Sequence, residues 1–276
     1  MLQTVVVSSL SQAVDLFFDG WYNHTIDRYR SDYAFRGVHS AEYSLVSSFS
    51  RNCSDQWDLE HNILRNFSKY AEMEAPFMVQ SVWKQMILGQ HYGLPTRLLD
   101  WTYSPLIALH FATNDADLDC LANNDAAVWK VHVDDVHGQL PEEYRRKLSE
   151  ETAHVFTVDM LNDITPNLKK YDSDMENSTF VFLEPPSIDA RIVNQFALFS
   201  VIPRCQTQLE NCLSRPEIRA TCYIIPRELK WEIRDKLDHS NITERILFPG
   251  LGGLATWLRR HYYVKEHNNN DKYDSN

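Results

Sequence analysis

The apolar pattern of this 276-residue chain changes period partway along, and that change limits the possible folds more than any other feature. Early in the chain apolar residues recur at helical spacing. From Asp55 onward, Leu59, Ile63, Leu64 and Phe67 share one helical face. A second helix is expected from near Pro76, carrying Phe77, Val79, Val82, Trp83, Met86 and Ile87 up to the break at Gly93-Leu94-Pro95. Later the pattern becomes short runs of β-branched and aromatic residues at 127–133, 180–183, 197–202 and 221–225, which read as strands. Helices dominating the first half and strands the second predict an α+β fold, a helical N-terminal half packed on a mixed or antiparallel β-sheet. Ser9 is placed to cap a first helix that runs to Gly20, and 33–36 reads as a short strand ended by Gly37. Ser104-Pro105 supplies the cap and first residue of a helix over 106–112. A last helix puts Leu251, Leu254, Ala255, Leu258 and Tyr262 on one face, and the polar stretch 134–151 reads as a surface loop. No linker composition divides the chain, so 1–262 is expected to be a single domain and 263–276 a polar, disordered tail.

Charge and motif content narrow the functional classes. A formal charge of −11 argues against broad, sequence-independent binding to nucleic acid, which needs a basic face to displace counterions. A small basic pocket is compatible with that charge. Five scattered cysteines without a C-x-x-C pair read as reduced, buried thiols of a cytoplasmic protein. The N-terminus lacks the basic region of a signal peptide, and no apolar run has membrane-spanning length. There is no P-loop, no G-x-G-x-x-G, no H-E-x-x-H, no zinc-spaced Cys/His set, no EF-hand loop and no G-x-S-x-G. No dedicated metal site is expected.

Two segments are chemically dense. The run from Gln90 to Pro105 carries His91, Tyr92, Arg97, Asp100, Trp101, Thr102 and Ser104 past a proline break into a new helix start. A helix start offers unpaired N–H groups to an anion or a polar ligand edge. Taken singly, these residues also suit structural work: an Arg97–Asp100 brace, a core indole at Trp101, a cap at Ser104. Together they are expected to bind ligand. In the second segment, Phe35-Arg36-Gly37, an arginine can clamp a phosphate or carboxylate with two parallel hydrogen bonds, and the glycine lets a ligand approach the backbone.

Phe35-Arg36-Gly37, followed by Tyr43-Ser44-Leu45 and Arg51, resembles the opening of the FRG-domain family, which is named for that tripeptide. The run Gln90-His91-Tyr92-Gly93-Leu94-Pro95-Thr96-Arg97-Leu98-Leu99-Asp100-Trp101-Thr102, with Ser104-Pro105 and Ala108-Leu109-His110-Phe111-Ala112, resembles that family's second and more specific signature. Arg191-Ile192 with Gln195 and Phe199 resembles its third, and 247–254 its closing element, so the likeness runs from about residue 33 to 262.

The order of motifs is also similar, at the level of pattern, to ADP-ribosyltransferase-like folds. That resemblance implies a domain that binds and cleaves NAD as substrate, of the kind found in bacterial stress or antiphage systems, with no metal and with a macromolecular acceptor left open. Arg36 and Gln195 would be its catalytic residues. Gly37, His91, Tyr92, Arg97, Asp100, Trp101, Thr102 and Ser104 would bind the ligand. Gln195 can hold a ribose hydroxyl but cannot act as a general base, so Glu184 is an alternative carboxylate, and Gln195 is otherwise a buried amide pinning two strands. The alternative to an enzyme is a non-catalytic module that senses a nucleotide or small anion.

Overall fold

The computed structural model describes residues 2–54, 56–206 and 208–264. Among the described residues nine strands occur in chain order: β1 (Gln3–Val6), β2 (Tyr22–Asn23), β3 (Arg28–Tyr29), β4 (Tyr33–Val38), β5 (Leu98–Thr102), β6 (Ala126–His132), β7 (Val181–Leu183), β8 (Ala197–Val201) and β9 (Ala220–Ile225). Seven build one mixed sheet in the order β1-β9-β6-β4-β5-β8-β7, while β2 and β3 form a separate ribbon. β1 runs parallel to β9, and the other neighbours in the large sheet are antiparallel. The α+β expectation with a mixed sheet is met.

The helices up to the second dense segment are α1 (Leu10–Phe18), α2 (Ser48–Cys53), α3 (Asp58–Ala71), α4 (Val82–His91) and α5 (Pro105–Ala112). Then come α6 (Val133–Gly138), α7 (Glu142–Glu150), α8 (Val158–Ile164), α9 (Leu168–Asp174), α10 (Ala190–Asn194), α11 (Leu209–Leu213), α12 (Lys230–His239), α13 (Glu244–Leu247) and α14 (Leu251–His261). Serine caps begin several of them. Ser9, Ser47, Ser81 and Ser104 each accept a hydrogen bond from the backbone N–H three residues on. Edge-on aromatic pairs join helices to the sheet, among them Phe17 with Tyr223 (5.1 Å), and Trp101 with Phe182 (5.4 Å) lies within the sheet core.

Several elements differ from the sequence expectation. The segment read as a connection after Pro95 holds β5, a central strand. Leu98, Leu99, Trp101 and Thr102 are all buried, so the alternation that marks a half-exposed strand is missing. β4 does not stop at Gly37 but passes through it to Val38. The stretch 134–151 is not a surface loop. It carries most of α6 and α7, with Val136, His137, Tyr144 and Leu148 buried. α4 starts at Val82, which leaves Phe77 exposed, and α3 buries Leu64 and Glu60 rather than Leu59. Asp55 lies outside the described residues. Of the apolar stripe assigned to the last helix, Leu254 is half-buried and the other four residues are exposed, Leu251 by 83%. α14 docks instead through Gly253, where a Cβ would stand 1.8 Å from the Phe248 carbonyl oxygen, and through buried Arg260. All five cysteines are free, but Cys120 and Cys205 are exposed rather than buried. Of the expected tail, 265–276 lies outside the described residues. Among the described residues no helix is long and apolar enough to cross a membrane.

His137 illustrates how the unexpected helices are locked in. Its Nδ1 donates to the His154 carbonyl (2.8 Å) while Nε2 accepts from the Phe182 N–H (2.9 Å), an arrangement that requires the neutral ring. Burial pushes its pKa down to about 4. His110 on α5 accepts from Arg234 Nη1 (2.8 Å), and burial, aided by Arg234, pushes its pKa down to about 3. Below the ordinary histidine pKa the unfolded chain gains protons at both rings that the folded chain refuses, so stability falls with pH in that window. Between pH 6.5 and 5 the expected loss is at most about 2 kcal/mol per ring. His154, raised by hydrogen bonding to Asp134, acts in the opposite sense but is exposed and counts for little. Melting temperatures at pH 7 and pH 5 check this, and an unchanged value would show that the two rings are not held neutral.

Candidate functional site

The site begins with a break in the sheet. β4 is paired to β6 from Tyr33↔His132 to Val38↔Ala127, and β5 to β8 from Leu98↔Val201 to Thr102↔Ala197. Between β4 and β5, however, one pair remains, Phe35↔Thr102. Past that pair the strands part, and the gap opens into a cavity of about 890 Å³. Its walls include Arg36, Gly37 and Val38 of β4; Asp100, Trp101 and Thr102 of β5; Gln90 and His91 of α4; and Arg191, Ile192 and Gln195 around α10. A volume of this order is typical of sites for drug-sized ligands. The sheet thus brings together the early arginine, the segment after the proline break and the late amide.

Arg36 spans the opening. Its Nη1 donates to the Asp100 carbonyl and stands 3.9 Å from Asp100 Oδ2, while its Nε is buried without a partner. The side chain is 18% exposed. Burial lowers the pKa of the guanidinium, Asp100 opposes that shift, and Arg51 adds to it. An arginine remains charged under such a load, so the cavity contains a partly desolvated cation. Asp100 is the more open partner, 63% exposed. Gln90 Nε2 donates to its Oδ2 (3.1 Å), and Gln90 Oε1 accepts from Thr96 Oγ1 (2.6 Å), so the carboxylate is aimed from behind.

Gly37 has a structural reason. A Cβ there would lie 1.8 Å from the Ala108 carbonyl oxygen and 2.6 Å from the Ala112 nitrogen. Glycine allows α5 to lie against β4, which differs from the ligand approach expected from the sequence. Trp101 is buried, edge-on to Phe182, and its Nε1 donates to Ser200 Oγ (2.8 Å) on β8. It contributes to the cavity wall as a fixed core residue. Thr102 Oγ1 donates to the Gln195 carbonyl (2.7 Å). His91 Nε2 meets Asp189 Oδ2 at 2.8 Å, and Asp189 in turn caps α10 by accepting from the Ile192 N–H. Gln195 sits at the C-terminal cap of α10, not on a strand, and its Nε2 donates to the Leu247 carbonyl (2.9 Å). Its amide therefore ties α10 to α13 and leaves Oε1 as the available atom.

Three expected ligand-binding residues are not on this wall. Arg97 lies buried between Glu60 of α3, which it grips bidentately, and Asp172 of α9 (2.6 Å), with its guanidinium 4.9 Å from the centre of the Trp57 ring. Tyr92 is 67% exposed beside His91. Ser104 accepts from the Ile107 N–H as the cap of α5. Glu184 is also elsewhere, accepting from the Tyr103 hydroxyl at 2.6 Å. Burial first, and then that bond, raise the Tyr103 pKa.

The wall also contains residues that the sequence reading did not select: His39, Glu42, Tyr43, Arg51 and Arg191. His39 and Tyr43 are edge-on at 4.9 Å. The loop from 39 to 47 has no periodicity to expose it, whereas Tyr43, Arg51 and Arg191 belonged to quoted signatures, and the two arginines could have been read as cavity cations. Among the described residues no group of three or more His, Cys, Asp or Glu side chains is arranged to hold a metal ion.

A family model described as "FRG domain" matches residues 31–119. This segment contains Arg36, Gly37, Gln90, His91 and Asp100; Arg191, Gln195 and the 247–254 segment lie beyond it. Comparison with curated proteins and with solved structures returned no match.

Proposed function

The chain carries an FRG domain over residues 31–119, and on that premise we propose that the cavity between β4 and β5 binds NAD and cleaves its nicotinamide–ribose bond, as an ADP-ribosyltransferase-like domain would. The observation that supports this reading is the pairing of a partly desolvated Arg36 with an oriented, open carboxylate, Asp100, at the point where the sheet parts.

Cleavage requires little covalent help from the protein. The bond from ribose C1′ to the ring nitrogen breaks, its electron pair neutralises the positively charged ring, and nicotinamide leaves. The sugar passes through an oxocarbenium-like state until water or another nucleophile adds at C1′ and gives up a proton. Arg36 and Arg51 suit the diphosphate, by charge and by paired N–H donors. Asp100, aimed by Gln90, suits the positive charge that develops on the sugar, where a fixed charge is most effective. Gln195 Oε1 suits a ribose hydroxyl. A cytoplasmic setting goes with five free thiols.

The non-catalytic reading also has an observation in its favour. Gln195 contributes an amide, not a carboxylate, and Glu184 is engaged by Tyr103 away from the cavity wall. One experiment separates the two. Purified protein is incubated with NAD, and both binding and free nicotinamide are followed for wild type, Arg36→Ala and Asp100→Asn. Under the enzyme reading wild type releases nicotinamide, Arg36→Ala loses binding and release, and Asp100→Asn binds but releases about 100-fold more slowly. Saturable binding without release in wild type would leave the sensing module. Absence of binding would remove NAD as the ligand under either reading.

A further inference from the structure

A second cavity, of about 690 Å³, adjoins the first and shares His91, Asn114 and Arg191 with it. Its remaining wall comes from Asp189 and Ala190 at the start of α10, Glu244 of α13, and the turn and first residues of α14, including Phe248 and Thr256. Arg191 stands at the junction. Its guanidinium carbon is 4.9 Å from the centre of the Phe248 ring, and the Phe248 ring is edge-on to Phe111 (6.2 Å), itself on the wall of the first cavity. The cation is held against an aromatic platform.

Of the four carboxylates that line the two cavities, three are already matched, and Glu42 of the first has no ion pair among the described residues. Asp100 lies beside Arg36, Asp189 accepts from His91 and caps α10, and Glu244 is gripped by Arg234 and Arg260. Arg191 has no carboxylate partner and no side-chain hydrogen bond within the described residues, although a protein of charge −11 has carboxylates to spare. A planar donor fork resting over an aromatic ring and left open between two cavities is suited to a phosphate or diphosphate bridging them.

We propose that Arg191 is an anion-binding residue, sharing with Arg36 and Arg51 of the first cavity the diphosphate of a ligand that lies across both cavities. The ligand class is therefore a dinucleoside or nucleoside–sugar diphosphate, with one organic half on each side of Arg191, rather than a mononucleotide. This inference rests on the proposed nucleotide site but adds the second compartment and the residue that joins the two.

The test measures binding of ADP-ribose, AMP, adenosine and inorganic pyrophosphate to wild type, Arg191→Ala, Arg191→Lys and Arg36→Ala, with melting temperatures to verify folding. Arg191→Ala is expected to weaken ADP-ribose and pyrophosphate by about 10- to 100-fold and to leave adenosine unchanged. Arg191→Lys should recover part of the loss, because it keeps the charge without the fork. Wild type should prefer ADP-ribose to AMP. If ADP-ribose binds Arg191→Ala as tightly as wild type while Arg36→Ala fails, the nucleotide site stands and this inference falls. If wild type binds no nucleotide, the proposed function falls, and pyrophosphate decides for Arg191. Binding that disappears in Arg191→Ala retains it as an anion site, and no pyrophosphate binding overturns it.

Discussion

Gly37→Ala is expected to lower the melting temperature by about 6 °C or more. The added carbon would sit 1.8 Å from the Ala108 carbonyl oxygen and 2.6 Å from the Ala112 nitrogen, both backbone atoms of α5. A side chain could rotate away, but a helix can only move as a body. Overpacking of a filled core costs about 1–3 kcal/mol and more where the clash is with backbone. Each kcal/mol moves the midpoint of a domain this large by about 2 °C. Gly93→Ala is the control: it has positive φ (83°) but open space around it, so only the smaller backbone penalty of about 1 kcal/mol applies. Thermal unfolding of the two variants measures the difference. Equal, small shifts would mean that α5 does not press on β4 as described.

Arg97→Met should cost still more, about 3–5 kcal/mol, because it strands a carboxylate inside the protein. Arg97 and Glu60 are both almost fully buried, and Asp172 closes the other side of the guanidinium. The trio links α3 and α9 to the chain just before β5. Removing the cation leaves Glu60 with its desolvation uncompensated. Replacing both residues, as Arg97→Met with Glu60→Leu, should regain much of the loss, since a buried pair is worth far less than either half alone costs. Urea unfolding of the single and double variants supplies the cycle. The same proteins, kept cold enough to stay folded, should bind nucleotide as wild type does. Loss of binding in folded Arg97→Met would restore Arg97 to the ligand-binding role expected from the sequence.

That contrast indicates what the sequence made legible. Arg36 and Arg97 look alike in one dimension, each an arginine in a dense motif. Their partners, Asp100 for one and Glu60 with Asp172 for the other, are set by long-range packing that no local pattern records. Ser104-Pro105 was readable because a cap and a proline act on their own turn. β5 was not, because a strand buried on both faces loses its alternation and this one also carries an exposed aspartate. The helices of 133–150 escaped because their buried positions include His137 and Tyr144, whose polar atoms are satisfied only by tertiary contacts. Gln195 was read as a catalytic residue or as a buried amide pinning two strands, and its commitment to the Leu247 carbonyl depends on where α13 lies.

The lone Phe35↔Thr102 pair bears on the mechanics of the molecule. A sheet that is continuously laddered resists bending about its strands, but here two stiff plates meet along a seam with a single rung. Arg36 reaches across that seam to the Asp100 carbonyl, so any occupant that claims the guanidinium competes with a brace between the plates. Any change in the angle of the plates would therefore be linked to filling of the cleft, each biasing the other.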